Sequence, residues 1–290
     1  MLKGVFTAIV TPFKKNGTLD EEALRNLVNE QLKAGVSGIV PCGTTGESPT
    51  LSHDEHNRVI EIVCNEVKGK CKVIAGTGSN STEEAIRMTK HAKEVGADGS
   101  LQVVPYYNKP TQKGLYNHFK SIAEAVDLPM IVYNIMGRTG INLATSTLVE
   151  LTKINNIIGV KEASGSIQQI MDVIKRVPED FSVLSGDDNL TLPLMAAGGH
   201  GVISVASNII PKRIVDFVDL GLKNDFIEMR KMHFQLDEIF SKIFIETNPI
   251  PVKKILALKG KIQSVYRLPL CEPEQSSVTI LKELIKKYKI

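Results

Sequence analysis

The sequence predicts an α/β protein built as a (β/α)8 barrel, a TIM barrel, with a helical extension at its C-terminal end. Three observations carry that expectation. Short apolar runs recur as far as Ser204, each nearly continuous in hydrophobicity, which is how parallel strands covered on both faces read. Stretches of helical period separate them, several opening on a capping signal. A doubly wound open sheet would use the same units, but the chain has no Gly-x-Gly-x-x-Gly dinucleotide fingerprint. Eight strand and helix units in roughly 220 residues also fit the typical barrel of about 250.

Taken in order, the strand candidates are Val5 to Val10, Gly38 to Val40, Lys72 to Ala75, Gly99 to Val104, Met130 to Tyr133, Ile157 to Lys161, Ser182 to Ser185 and Gly201 to Ser204. Between them, Thr18 with Glu21, Ser52 with Glu55, Ser81 with Glu84 and Ser166 with Gln169 have the spacing of a capping box. In that motif the hydroxyl accepts from the amide three residues on, and the Glu or Gln there reaches back. After Asn224 the strand signal stops. Met232, Leu236, Ile239, Phe240 and Ile243 recur at helical spacing, Pro249 and Pro251 break that helix, and a short one follows through Ile255 and Leu258. Ile280, Leu281, Leu284, Ile285 and Tyr288 mark the last. The organisation expected is a catalytic barrel over residues 1–224 and a helical region over residues 225–290.

Composition narrows the functional classes. At 290 residues, 42% hydrophobic and 23% charged, the chain is neither disordered nor fibrous. Its net charge of +3 is mild and the basic residues are scattered, which gives no support to nucleic-acid or membrane binding. No apolar stretch approaches the ~20 residues that span a bilayer. The N-terminus lacks the apolar core and cleavage site of a signal peptide, and Cys42, Cys64, Cys71 and Cys271 show no framework spacing. Free thiols in a reducing cytoplasm are the expectation.

The residue that points to chemistry is Lys161. It closes the apolar run Asn156-Ile157-Ile158-Gly159-Val160 and is followed by Glu162-Ala163-Ser164-Gly165. An ammonium at the end of a buried strand is costly to desolvate unless paired, so burial pushes its pKa toward the neutral amine. A neutral amine attacks carbonyl carbon to form a Schiff base, which suggests carbonyl chemistry without metal or cofactor. The plain alternative is a lysine that snorkels to solvent or pairs with Glu162. In a barrel, catalytic groups sit at the C-terminal ends of strands and in the loops after them. Those places hold Gly43-Thr44-Thr45-Gly46-Glu47, whose amides and hydroxyls suit a carboxylate, then Pro105-Tyr106-Tyr107-Asn108, and Tyr133-Asn134 leading to Arg138-Thr139-Gly140. A Gly/Thr turn and half-buried packing tyrosines are the bland readings. His53 and His56 stand three apart on one helix face but lack further ligands, so a metal is not expected there.

These segments, with Gly159-Val160-Lys161-Glu162-Ala163 and Ser185-Gly186-Asp187-Asp188, occur in the order and spacing of the dihydrodipicolinate synthase family. The resemblance runs from Val5 to Asn248-Pro249-Ile250-Pro251-Val252-Lys253. It implies a Schiff base between Lys161 and pyruvate, whose enamine attacks L-aspartate 4-semialdehyde to give 4-hydroxy-tetrahydrodipicolinate on the route to diaminopimelate and lysine. It implies a proton relay of Thr44, Tyr133 and Tyr107, with Tyr107 offered across a subunit interface. Thr45 and loop amides would hold the pyruvate carboxylate, Arg138 the second substrate, and backbone at Gly186 and Ile203 the floor. A homotetramer, as a dimer of dimers, follows from the same resemblance. So does an allosteric lysine site of Ser48, His53, His56, Asn80, Glu84 and Tyr106. The chain departs from the family at Met136-Gly137, before Arg138, and at Pro49, inside the lysine site. Related Schiff-base aldolases, N-acetylneuraminate lyase and the 2-keto-3-deoxy sugar acid enzymes, do not usually carry an arginine after strand five, which argues against them. A non-catalytic 2-oxo acid sensor would not need the three hydroxyls.

Overall fold

Eight parallel strands close on themselves in chain order in the computed structural model, which describes every residue from Met1 to Ile290. They are β1 (Gly4–Ala8), β2 (Gly38–Val40), β3 (Lys72–Gly76), β4 (Gly99–Val103), β5 (Met130–Asn134), β6 (Ile157–Glu162), β7 (Ser182–Ser185) and β8 (Gly201–Ser204). The helices are α1 (Glu21–Ala34), α2 (His53–Val67), α3 (Thr82–Glu94), α4 (Gln112–Ala125), α5 (Met136–Thr139), α6 (Thr145–Leu151), α7 (Ile167–Arg176), α8 (Thr191–Ala196) and α9 (Pro211–Leu222), then α10 (Phe226–Lys242), α11 (Ile250–Leu258) and α12 (Gln275–Tyr288).

Alternation along each strand divides the core in two. Outward residues such as Val5, Ile39, Val73 and Val132 join the helices in the larger apolar cluster. Inward residues, among them Phe6, Val40, Ile74, Leu101, Ile131, Leu184 and Ile203, fill the lumen. The barrel is therefore plugged below its catalytic rim and offers polar chemistry only at the strands' C-terminal ends. At the seam Gly4 pairs with Gly201, where a Cβ on Gly201 would lie 2.0 Å from the Gly4 carbonyl oxygen, so only glycine lets the ring close.

All eight expected strands form. β5 and β6 run one residue past Tyr133 and Lys161, while β1 stops at Ala8. One capping expectation is corrected. α1 is capped by Asp20, whose carboxylate accepts from the Ala23 amide at 3.2 Å, and not by Thr18. Thr18 lies outside the helix because Leu19 bridges to Phe13 in extended geometry, and its hydroxyl donates to Asn16 instead. Ser52 and Glu55 form the full reciprocal box. Ser81 and Ser166 accept from the expected amides, but Glu84 and Gln169 turn away from the helix start to other partners.

Past Asn224, whose φ of 61° turns the chain, α10 packs on α8 and α9, and α11 packs on α12. No helix is long and apolar enough to cross a membrane.

Candidate active site

On β6 the side chains of Lys161 and Glu162 necessarily point to opposite faces. Glu162 goes outward, accepting from Asn134 Nδ2 at 3.2 Å and from the Ser164 amide at 2.8 Å, and burial raises its carboxyl above the usual range. It is not a partner for Lys161. Lys161 goes inward and is 5% exposed. No carboxylate lies within 4.0 Å of its amine, which instead stands 4.1 Å from the centroid of the Tyr133 ring on the neighbouring strand. Gly186 gives the lysine stem its room, since a Cβ there would sit 3.1 Å from Lys161 Cε and 2.5 Å from the Ala163 Cβ.

Above the amine lies a cavity of about 40 Å³ whose walls include Thr44, Thr45, Tyr133, Arg138 and Gly186. The turn that brings the threonines there follows β2. The Gly46 amide donates to Gly43 O and the Glu47 amide to Thr44 O, both at 3.1 Å, and the Thr11 hydroxyl donates to Gly46 O at 2.7 Å. Cys42 enters the turn in the left-handed region, φ 56°. β3 runs so close beneath that a Cβ on Gly76 would lie 2.3 Å from the Cys42 carbonyl oxygen. Arg138 arrives on α5, a single helical turn that the sequence did not announce, and its Nη2 donates to Asn248 O at 3.2 Å.

Two of the expected residues are not on the cavity walls of the single chain. Tyr107 is 88% exposed in a left-handed turn, φ 72°, and touches neither cavity. Ile203 is buried in the lumen cluster, and Val205 takes the cavity wall after β8. Within the single chain, the hydroxyls of Thr44, Tyr133 and Tyr107 make no hydrogen bond to one another.

A second cavity of about 510 Å³ shares Thr44, Tyr133 and Arg138 with the first and opens between β2, β3 and β4. Ser48, His53, His56, Glu84 and Tyr106 line it, while Asn80 lies at its rim, donating to Tyr106 O at 3.2 Å. His56 Nε2 bonds Gly76 O at 2.9 Å, and burial holds its imidazole below the usual histidine range. Glu84 shares its carboxylate between the Ser79 hydroxyl and His53 Nε2, the latter at 3.4 Å.

Sequence reasoning passed over four residues. Asp187 lines the smaller cavity. Burial raises its carboxyl above the usual range, with the nearby Lys161 acting the other way. Asn248 donates from Nδ2 to Thr45 Oγ1 at 2.9 Å, and its buried Oδ1 has no partner. Glu47 and Lys253 form an ion pair with both side chains fully buried. Burial pulls the Lys253 amine below the usual lysine range, and the Glu47 carboxylate opposes that. The signal in the sequence was faint: Asp187 and the run Asn248 to Lys253 belong to the motifs quoted for the resemblance, without a role.

The chemistry available is that of a buried amine with no carboxylate within 4.0 Å, three hydroxyls on the wall beside it, a turn rich in amides and an arginine on the same wall. A profile described as the dihydrodipicolinate synthetase family matches residues 1–288. The 4-hydroxy-tetrahydrodipicolinate synthase of Syntrophus aciditrophicus is 55% identical over 288 residues, 99% of each chain. The crystal structure of dihydrodipicolinate synthase from Aquifex aeolicus superposes with a TM-score of 0.98 at 48% identity, covering 99% of this chain and 98% of that one. Two further structures of the same kind carry small molecules. The chloride-inhibited Acinetobacter baumannii enzyme, complexed with pyruvate, is 42% identical at a TM-score of 0.98 over the whole of both chains. The Cyanidioschyzon merolae enzyme with lysine bound is 43% identical at 0.95, over 98% of this chain and 97% of that one.

Proposed function

The chain belongs to the dihydrodipicolinate synthetase family, and from that premise we propose how its site performs the family's reaction. The enzyme condenses pyruvate with L-aspartate 4-semialdehyde through a lysine Schiff base, giving 4-hydroxy-tetrahydrodipicolinate for the synthesis of diaminopimelate and lysine.

In our reading Lys161 attacks C2 of pyruvate, and the carbinolamine loses water to leave an imine. The imine is the electron sink: a methyl proton departs, the enamine forms, and its terminal carbon adds to the aldehyde. The Schiff base thus does the work a cofactor would otherwise do, and we assign none. Tyr133 and Thr44 stand on the wall where protons must reach and leave the carbinolamine oxygen. Tyr107 is the third hydroxyl, supplied by a second copy of the chain, and its exposure in a single chain supports that reading. Thr45 and the amides of its turn hold the pyruvate carboxylate, over a floor of backbone at Gly186 and Ile203. Arg138, a planar fork, holds the carboxylate of the semialdehyde. The observation that carries this mechanism is the amine of Lys161, buried and with no carboxylate within 4.0 Å. Borohydride added with pyruvate should leave a reduced three-carbon adduct on the peptide bearing Lys161. An adduct elsewhere, or none, would end the proposal.

The groups of this mechanism all belong to the barrel over residues 1–224, and the helical region over residues 225–290 reaches them through Asn248, which donates to the Thr45 hydroxyl and accepts from Arg138. The assembly proposed is a homotetramer, a dimer of tight dimers, in the cytoplasm, and light scattering of the pure protein checks its size. The larger cavity suits L-lysine as an inhibitor. Glu84 would face its ammonium, while His56, Asn80, Ser48, His53 and Tyr106 would hold its polar ends. The lysine-bound relative supports this. Activity unchanged in millimolar lysine would remove the effector and leave the catalytic reading intact.

A further inference from the structure

The Glu47–Lys253 pair takes no part in the chemistry above, yet both side chains are withdrawn completely from water. Apolar residues of similar volume would pack there as well or better, so the pair's value must lie in where it stands. Glu47 closes the turn that carries Thr44 and Thr45. Its own backbone is left-handed, φ 54°, and its carbonyl accepts the Thr50 amide at 3.0 Å and the Thr50 hydroxyl at 3.1 Å. Lys253 stands on α11, its amide donating to Pro249 O at 3.0 Å. The residue before that proline, Asn248, donates to the Thr45 hydroxyl and accepts from Arg138. One short segment therefore grips the turn twice, at the hydroxyl of Thr45 and at the carboxylate of Glu47.

The grip is braced from behind. The Lys253 amine stands 4.5 Å from the Phe13 ring centroid and 5.3 Å from that of Tyr266. Arg267 lies 4.2 Å over Phe13 and forks onto both carboxylate oxygens of Glu55 at 2.6 Å. Aromatic faces favour a cation and hold it in place, so the ammonium has a fixed position from which to hold Glu47.

We infer that Glu47 and Lys253 are positioning residues: their ion pair sets the Thr44–Thr45 turn at the spacing the carboxylate of the 2-oxo acid substrate requires. This rests on the assignment of Thr45 to that carboxylate. The pair acts through the turn and touches no reacting atom, so it governs affinity for pyruvate more than the rate of the bound complex.

The test uses the full-length enzyme as Glu47→Gln, Lys253→Met, the double variant, Lys253→Arg and, as a control, Thr45→Val. Each is measured for the KM of pyruvate, for kcat per site counted by borohydride trapping, and for Tm. Glu47→Gln should raise the KM of pyruvate about tenfold and lower kcat by a smaller factor, since Thr44 of the proton relay rides on the same turn. The double variant, which leaves no unpaired buried charge, should regain much of the Tm and keep the raised KM, whereas Lys253→Arg should recover most of the affinity. A Tm loss with unchanged KM in Glu47→Gln, or a double variant that regains affinity together with Tm, would overturn the inference. Should Glu47→Gln fail to fold, the double variant and Lys253→Arg still give the KM comparison. Unchanged KM in Thr45→Val would remove the carboxylate assignment itself and the inference with it. Raised KM in Thr45→Val beside unchanged KM in Glu47→Gln would sink the pair alone.

Discussion

Two buried lysines divide this molecule. Around Lys253 the protein supplies a carboxylate and two aromatic faces, while around Lys161 it supplies one aromatic face and a cavity. Both amines are hidden from water, so burial by itself does not mark the chemical one. What marks it is the absence of a direct ion pair: no carboxylate lies within 4.0 Å of the Lys161 amine, which leaves the nitrogen free to react, whereas the Lys253 amine is held by Glu47. The same contrast holds for the carboxylates beside them. Glu47 is spent on its lysine, whereas Glu162, next in sequence to Lys161, is turned through the sheet and satisfied elsewhere.

The strongest way to break the comparison is to delete each amine. Lys161→Ala should cost roughly three orders of magnitude or more in kcat, because the nucleophile is gone, with a change in unfolding free energy of no more than about 1 kcal/mol. Lys253→Met should do the reverse in stability, losing about 3–5 kcal/mol in urea unfolding because Glu47 is left buried and alone. If Lys161→Ala unfolds the protein, or Lys253→Met is neutral, the division fails. Tyr133→Phe sharpens it: the ring beside the amine stays and the hydroxyl goes, so kcat should fall about a hundredfold with Tm unchanged. Arg138→Lys keeps the charge but loses the fork. It should raise the KM of the semialdehyde about tenfold and leave that of pyruvate alone, as steady-state kinetics with each substrate varied would read.

The smallest effect concerns a third treatment of a buried base, neutralisation. His118 is buried on α4 with Nδ1 2.8 Å from the Thr82 hydroxyl and Nε2 unpartnered, and burial pushes its pKa down to about 4. The unfolded chain, near 6.5, binds more protons than the native one between those values, so native stability rises with pH through that window. It is complete above about pH 6.5 and is lost as pH falls toward 4. His118→Gln should flatten that dependence in urea unfolding at about pH 7.5 and about pH 5.

The strands were legible because both faces of a parallel barrel strand are covered, so hydrophobicity runs unbroken through Met130 to Val132 and Ile157 to Val160. Lys161 was legible because it interrupts such a run at its end. The start of α1 was misread since Thr18 and Asp20 are both good caps, and the choice between them is made by a bridge from Leu19 to Phe13 that no local rule contains. α5 has too few residues for a periodic signal. Asn248 and Lys253 reach the turn after β2 from 203 and 206 positions away, a separation at which only the closed fold brings groups together.

That last distance bears on how the enzyme comes into being. A ribosome finishes the nucleophile's strand well before it reaches Asn248, so a half-made polypeptide carries the reactive amine but not the clasp that shapes its pocket. A chain ending before Asn248 should therefore leave no borohydride-trapped pyruvate adduct on Lys161.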